Sequence, residues 1–187
     1  MENTNKFRVS TVVAMVVAAT LSRFLFLSPS MANFSPIGAM ALFGGAYFAN
    51  KKLAYLVPLV SIWLSSMVLN NTVYKQYYPS FSFGFETIVF IGFAVVVTAG
   101  VLLLKKVNVS NLLLANVVGT LGFFLVSNFG VWANGTMYAH TLEGLTTCYT
   151  MALPFLRNSL TSNLLFSAVF FGAFELAKRQ APSLVLE

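Results

Sequence analysis

"NFSPIGAMALFGGAYF", from Asn33 to Phe48, opens like a turn and continues as an apolar run without a charge until Lys51. Its second half is built from Gly and Ala as much as from large side chains. Small residues in a segment suited to oil point to a helix packed against other helices. In lipid, helices gain little from apolar burial against one another, and close approach of backbones replaces it. Pro36 suits the first turn of such a helix, where its missing N–H costs nothing. The stretch therefore reads as a short helix at the heart of a membrane bundle, entered through an Asn-Phe-Ser-Pro corner.

The rest of the chain fits that reading. Of 187 residues, 58% are hydrophobic and 9% charged, against about 25% charged in an ordinary soluble domain. Lipid must then cover most of the surface. The expected fold class is all-α: a polytopic membrane helical bundle in a single domain, residues 1–187. Six spans are expected, at Val9–Leu27, Pro36–Asn50, Leu53–Asn70, Phe83–Leu104, Val109–Trp132 and Asn158–Ala177, the second of them short for a bilayer.

The charges orient the bundle. With the N-terminus in the cytoplasm, the inside receives Lys6, Arg8, Lys51, Lys52, Lys105, Lys106, Lys178 and Arg179. The outside receives Arg23, Lys75 and Arg157, so the ratio is eight to three. The positive-inside rule then predicts both termini cytoplasmic. The net charge of +6 becomes a topology signal, and no nucleic-acid partner is expected. Lys6, Arg8, an apolar run and Ser30-Met31-Ala32 resemble a cleavable signal peptide. The run is longer than a usual signal core and Arg23 interrupts its end, so a retained span is expected.

Small residues recur four apart: Ser10, Ala14, Ala18 and Ser22; Ala41, Gly45 and Ala49; Ser61 and Ser65; Ala168 and Gly172. That spacing keeps them on one helix face, and each stripe reads as a packing groove. The Ala14-x-x-x-Ala18 stripe could instead dock another membrane protein.

The inner connections, "NKK" and "KKVN", are minimal. The outer ones are long, at Ser28–Ser35, Asn71–Ser82 and Ala133–Arg157, and long loops in a compact protein are where function concentrates. Polar and aromatic residues gather there. Arg23, Asn33, Phe34, Tyr74, Glu86, Asn128, Trp132, Tyr138 and Arg157 are the candidate ligand contacts. Cations suit an anionic group, amides fix orientation, and aromatics hold a planar ring. Arg23 and Arg157 could equally pair with Glu86 or Glu143. Asn158 reads as a cap of the sixth helix, and Glu175 as a partner of Lys178 and Arg179. Asn116 and Thr120, like Asn163 and Ser167, share a helix face and read as interhelical hydrogen-bonding groups.

Several classes are disfavoured. Cys148 is the single cysteine, so no intrachain disulfide forms. His140 and Cys148, eight apart, make no metal site, and no cofactor is expected. The chain carries no P-loop and no zinc-protease or serine-nucleophile motif. An enzyme is not expected, and no buried carboxylate marks an ion-coupled pump.

"NFSPIGAMALFGGAYF", "VPLVSIWLSSMVLNNTVY", "FLVSNFGVW", "LEGLTTCYTMALPFLRNSL" and "FGAFELAKR" resemble the recurring motifs of an uncharacterised family of small bacterial membrane proteins. The likeness runs from about Asn33 to Arg179. In that pattern an acidic residue is usual where this chain has Ser66 and again where it has Asn163. The family is itself similar to the substrate-binding S-components of energy-coupling-factor vitamin transporters. That resemblance implies six helices and an outer site for a small vitamin- or cofactor-like solute. It also implies a membrane coupling subunit docked on Ala14 and Ala18 and driven by ATPases, in a bacterial cytoplasmic membrane. The alternative expectation is a structural or accessory subunit of a membrane complex that transports nothing.

Overall fold

The computed structural model describes residues 16–180. Seven α-helices and no strand occur among them. The described part of α1 covers residues 16–22. It is followed by α2 (Ile37–Tyr47), α3 (Lys51–Asn71), α4 (Thr87–Leu103), α5 (Val109–Asn134), α6 (Leu142–Met151) and α7 (Leu153–Gln180). Helices α3, α5 and α7 are long and apolar enough to cross a membrane. The first expected span falls partly outside the described residues, and Ser10 and Ala14 lie there too.

Helix α2 sits at the centre. Its 11 residues span only about 16 Å at 1.5 Å per residue, half the thickness of a hydrocarbon core. Ile37 to Leu42, Gly44 and Gly45 are buried, and α2 touches α3, α4, α5 and α7. Its small residues explain the placement. At Gly45 an added Cβ would lie 2.7 Å from the Val97 carbonyl oxygen of α4. At Gly100 of α4 it would lie 2.7 Å from the Leu42 carbonyl oxygen of α2. Two glycines thus bring two backbones into direct contact. The entrance corner is equally specific. Asn33 has φ 63°, a left-handed conformation that Asn tolerates better than most residues. Phe34 N–H then donates to Met31 O at 2.9 Å, and Ile37 N–H to Ser35 Oγ at 3.3 Å.

The minimal connections carry their own caps. Asn50 Oδ1 accepts from Lys52 N–H at 3.0 Å and Asn108 Oδ1 from Asn111 N–H at 2.9 Å. Each satisfies one orphan donor at a helix start. The outward faces remain apolar. Along α5, Leu113, Leu114, Val117, Val118, Leu121 and Leu125 are all exposed. So contiguous an apolar stripe is expensive in water and natural against acyl chains, consistent with a membrane protein.

Three expectations are corrected. The stretch Ala133–Arg157 is not a plain loop, because it folds α6, whose start Thr141 caps by accepting from Gly144 N–H at 3.1 Å. The last helix begins at Leu153, so Asn158 does not cap it; its Nδ2 donates to Ser30 O and Ala32 O at 2.9 and 3.0 Å. Ala168 and Gly172 form no packing groove: both are exposed, and nothing lies within 4 Å of a Cβ at Gly172. Glu175 accepts from the Tyr47 hydroxyl at 2.7 Å; the side chain of Lys178, one of its expected partners, lies outside the described residues.

Candidate functional site

A cavity of about 490 Å³ opens at one end of the bundle. It is framed by residues 23–38, the last turns of α3, the first turns of α4, the middle of α5 and the early turns of α7. The basic pairs Lys51-Lys52 and Lys105-Lys106 lie towards the opposite ends of those same helices, in the first turn of α3 and between α4 and α5.

Arg23 is the chemical centre of the cavity. It sits where the chain turns out of α1, and its Nη1 donates to Ser65 Oγ and Ser66 Oγ, both at 2.8 Å, and weakly to Ile62 O at 3.4 Å. Ser65 Oγ accepts there while its own hydroxyl donates to Ser61 O at 2.6 Å. The guanidinium is therefore positioned by hydroxyls on α3, which neutralise none of its charge. Nη2 and Nε make no hydrogen bond to the described protein. No buried side-chain N or O among the described residues lacks a partner, so these groups reach open space, and the space Arg23 lines is the cavity.

The walls are aromatic. Phe26, Phe34 and Phe166 meet edge to face, with centroids 5.0 to 6.4 Å apart, and Phe26 and Phe34 face the cavity. Phe93 of α4 and Phe123 of α5, 4.7 Å apart, form another wall. Gly92 makes room for the Phe123 ring. Edge-to-face contacts hold such rings in place beyond the effect of burial. Polar groups line the space between. Asn163 of α7 donates to Thr120 Oγ1 of α5 at 2.9 Å, and one turn further along Ser167 donates to Asn116 Oδ1 at 3.1 Å. These pairs do join the helices as read from the sequence, and Asn163 and Thr120 also line the cavity. Removing one partner strands the other at a cost of about 1–3 kcal/mol. Asn163→Leu and Thr120→Val are therefore each expected to lower stability by that amount. The double variant should lose less than their sum in thermal unfolding.

The mouth is shaped by residues 72–86, folded back on α3. Asn71 donates to Ser82 O at 2.6 Å and accepts from Ser82 N–H at 2.9 Å. Asn70 donates to Ser82 Oγ at 3.2 Å, and Trp63 Nε1 to Phe83 O at 2.9 Å. Gly84 has φ 68° and packs onto the Met67 backbone. This clamp brings Tyr74, Tyr78 and Glu86 to the cavity. Burial pushes the Tyr78 hydroxyl above its ordinary range, and the Glu86 carboxylate adds to that. The phenol thus stays protonated and can donate.

Of the expected contacts, Arg23, Asn33, Phe34, Tyr74 and Glu86 line the cavity, and Asn128, Trp132, Tyr138 and Arg157 do not. The second group belongs to the α5–α6 corner and the start of α7. Trp132 Nε1 donates to Ala139 O at 2.9 Å, and its ring meets His140 with centroids 5.6 Å apart. Asn128 Nδ2 donates to Phe124 O within its own helix at 2.8 Å. Tyr138 is half-buried and Arg157 exposed. Trp132→Phe is accordingly expected to loosen that corner while leaving the cavity's ligand affinity within about twofold, as judged by a binding isotherm; a two-fold change is about 0.4 kcal/mol.

Ser66, Phe26, Tyr78, Phe93 and Phe123 line the cavity without having been singled out from sequence as contacts. Ser66 adjoins the Ser61/Ser65 stripe, and its hydroxyl accepts from Arg23. Phe93 and Phe123 lie in runs of apolar residues and carry no legible signal. Ala18 is exposed on α1, and Ala14 lies outside the described residues. Cys148 is buried, with its thiol 3.5 Å from Asn128 O. Burial pushes that thiol up, which keeps it protonated and unreactive. Among the described residues no three His, Cys, Asp or Glu side chains cluster as metal ligands would.

No curated protein and no solved structure matches the chain. A family match covers nearly all of it, from residue 3 to residue 184, and includes every element that builds the cavity. The chain therefore belongs to DUF6580, a family of unknown function.

Proposed function

We propose that this protein is a membrane-embedded binding and uptake protein for a small organic solute, captured in the cavity around Arg23. The cavity itself carries the reading. About 490 Å³ of space falls in the range of small-molecule sites, and apolar aromatic walls with a few placed polar groups are their usual composition. It sits at the end of the bundle away from Lys51, Lys52, Lys105 and Lys106. By the positive-inside rule that end faces away from the cytosol. In this reading the chain crosses a bacterial cytoplasmic membrane six times with both termini inside. The short α2 is supported by its neighbours and does not itself need to reach both surfaces.

The likeness to S-components is one of architecture, and it gives an expectation of partners only by analogy. A coupling subunit with its ATPases would supply energy, since this chain has no P-loop. The exposed Ala18 is compatible with such a contact. The solute is vitamin- or cofactor-like in size, and the protein acts by binding rather than by catalysis.

Thermal unfolding of purified protein in detergent, with and without fractions of a low-molecular-mass cell extract, tests the reading. A solute at one hundred times its Kd stabilises by about 2.7 kcal/mol. A fraction that raises Tm by several degrees for the wild type but not for Phe123→Arg, which fills the cavity, is the expected result. Equal response of both proteins to every fraction contradicts it.

A further inference from the structure

We infer that the cavity is selective for charge. Arg23 forms a carboxylate subsite, and the solute is a ring-bearing monocarboxylate without a second anionic group. The inference rests on the reading of the cavity as a solute site and adds the chemical class.

The guanidinium is held on one side only. Nη1 is committed to Ser65 and Ser66 at 2.8 Å each, which leaves the edge formed by Nε–H and Nη2–H. Those two donors are parallel and spaced to meet the two oxygens of a carboxylate. Hydroxyl partners fix the fork without cancelling its charge. A cation in a largely apolar chamber is costly unless an anion joins it. Among the described residues no carboxylate is in hydrogen-bond contact with Arg23, which leaves that contact open to a ligand.

The charge limit comes from the mouth. Among the described residues Glu86 is the one carboxylate lining the cavity. The hydrogen bonds of Arg23 go to Ser65, Ser66 and Ile62 and not to Glu86. A dianion such as a phosphate monoester would face one guanidinium and also Glu86, and like charges at an entrance disfavour the wrong ligand. A monocarboxylate meets the guanidinium in full and places no second charge near Glu86. The body of the solute follows from Phe26, Phe34, Phe93 and Phe123, which offer flat apolar faces and no donor.

Ser66 supplies a discriminating variant. Its hydroxyl oxygen is 2.8 Å from Nη1, so an aspartate there reaches the guanidinium and occupies the charge. Ser66→Asp keeps the arginine and removes the subsite. Arg23→Gln removes the arginine itself. Arg157→Gln, exposed and outside the cavity, is the control.

The test is mass spectrometry of small molecules that stay bound through purification of the full chain in detergent. The expected result is a retained compound with a single carboxylate. It should fall at least tenfold in Ser66→Asp and Arg23→Gln and remain unchanged in Arg157→Gln. The charge of the compound retained by the wild type is informative whether or not either variant folds. A neutral, cationic or dianionic compound overturns the subsite, as does retention at full level in both folded cavity variants; the solute-binding reading survives either result. A phospholipid as the only retained anion also overturns it, since the guanidinium would then be meeting a headgroup. A wild type that retains nothing and is stabilised by no extract fraction removes the solute site as well.

Discussion

Gly100→Leu is expected to cost the bundle about 3 kcal/mol or more, the upper end of what overpacking does, and to leave most of the protein aggregated on extraction. The side chain would start 2.7 Å from Leu42 O and 3.1 Å from Leu42 Cα. Both are backbone atoms, and neither can rotate away as a side chain would. Relief requires α2 and α4 to separate, and α2 also carries contacts to α3, α5 and α7. The loss therefore spreads. Gly45→Leu meets Val97 O at 2.7 Å from the other side of the same seam and should behave alike. Gly172→Leu, with open space around it, should unfold within a degree or two of wild type. Thermal unfolding of the three variants in one detergent checks the contrast. Equal tolerance at all three positions would mean that the α2–α4 seam is not a close contact.

The second large effect is expected at Gly84. A valine there must adopt φ 68°, a conformation that costs a β-branched residue on the order of 1–3 kcal/mol. Its Cβ would also collide with the Met67 backbone. The segment 82–86 must then leave α3, breaking the clamp made by Asn70, Asn71 and Trp63. Glu86 and Tyr78 go with it. Gly84→Val should thus lose ligand response more completely than it loses fold. Tm should fall by several degrees, and stabilisation by the active extract fraction should disappear. Trp63 fluorescence reports the same event, because the indole N–H loses Phe83 O. An unchanged Trp63 spectrum together with full ligand response would contradict the clamp.

How far these features could be read from sequence varies with the physics behind each. The buried α2 was legible, since only close backbone contact accounts for Ala41, Gly45 and the glycine beside it in an apolar run. The pattern failed at Ala168 and Gly172, where the same spacing faces outward. A small residue against lipid and a small residue against a helix look alike in one sequence, because neither has a polar group to betray its surroundings. Helix α6 was missed because ten residues with three threonines resemble a loop, and the Thr141 cap was the one available clue. In the cavity, Arg23 and Glu86 stood out as charges in apolar surroundings. Phe123 could not, being one phenylalanine among many. Trp132 and Asn128 were drawn into the same expected bowl as Arg23 because they share its end of the bundle. Depth along a helix can be counted from sequence, whereas the direction a side chain takes around it depends on neighbours. Arg157 falls in the same class: its level is that of the cavity, but its side of α7 is not.

Ser66 and Asn163 both line the cavity. An acid at 66 would meet Arg23, and one at 163 would meet Thr120.

The central claim is that the Arg23 cavity opens away from the cytosol. Single cysteines at Tyr78 and Lys106, in a Cys148→Ala background, test it through labelling of intact cells with a membrane-impermeant maleimide. The account predicts that Tyr78→Cys is modified from outside and that Lys106→Cys is modified only after the membrane is opened. Modification of Lys106→Cys in intact cells, with Tyr78→Cys protected, would place the cavity on the cytosolic side and contradict it.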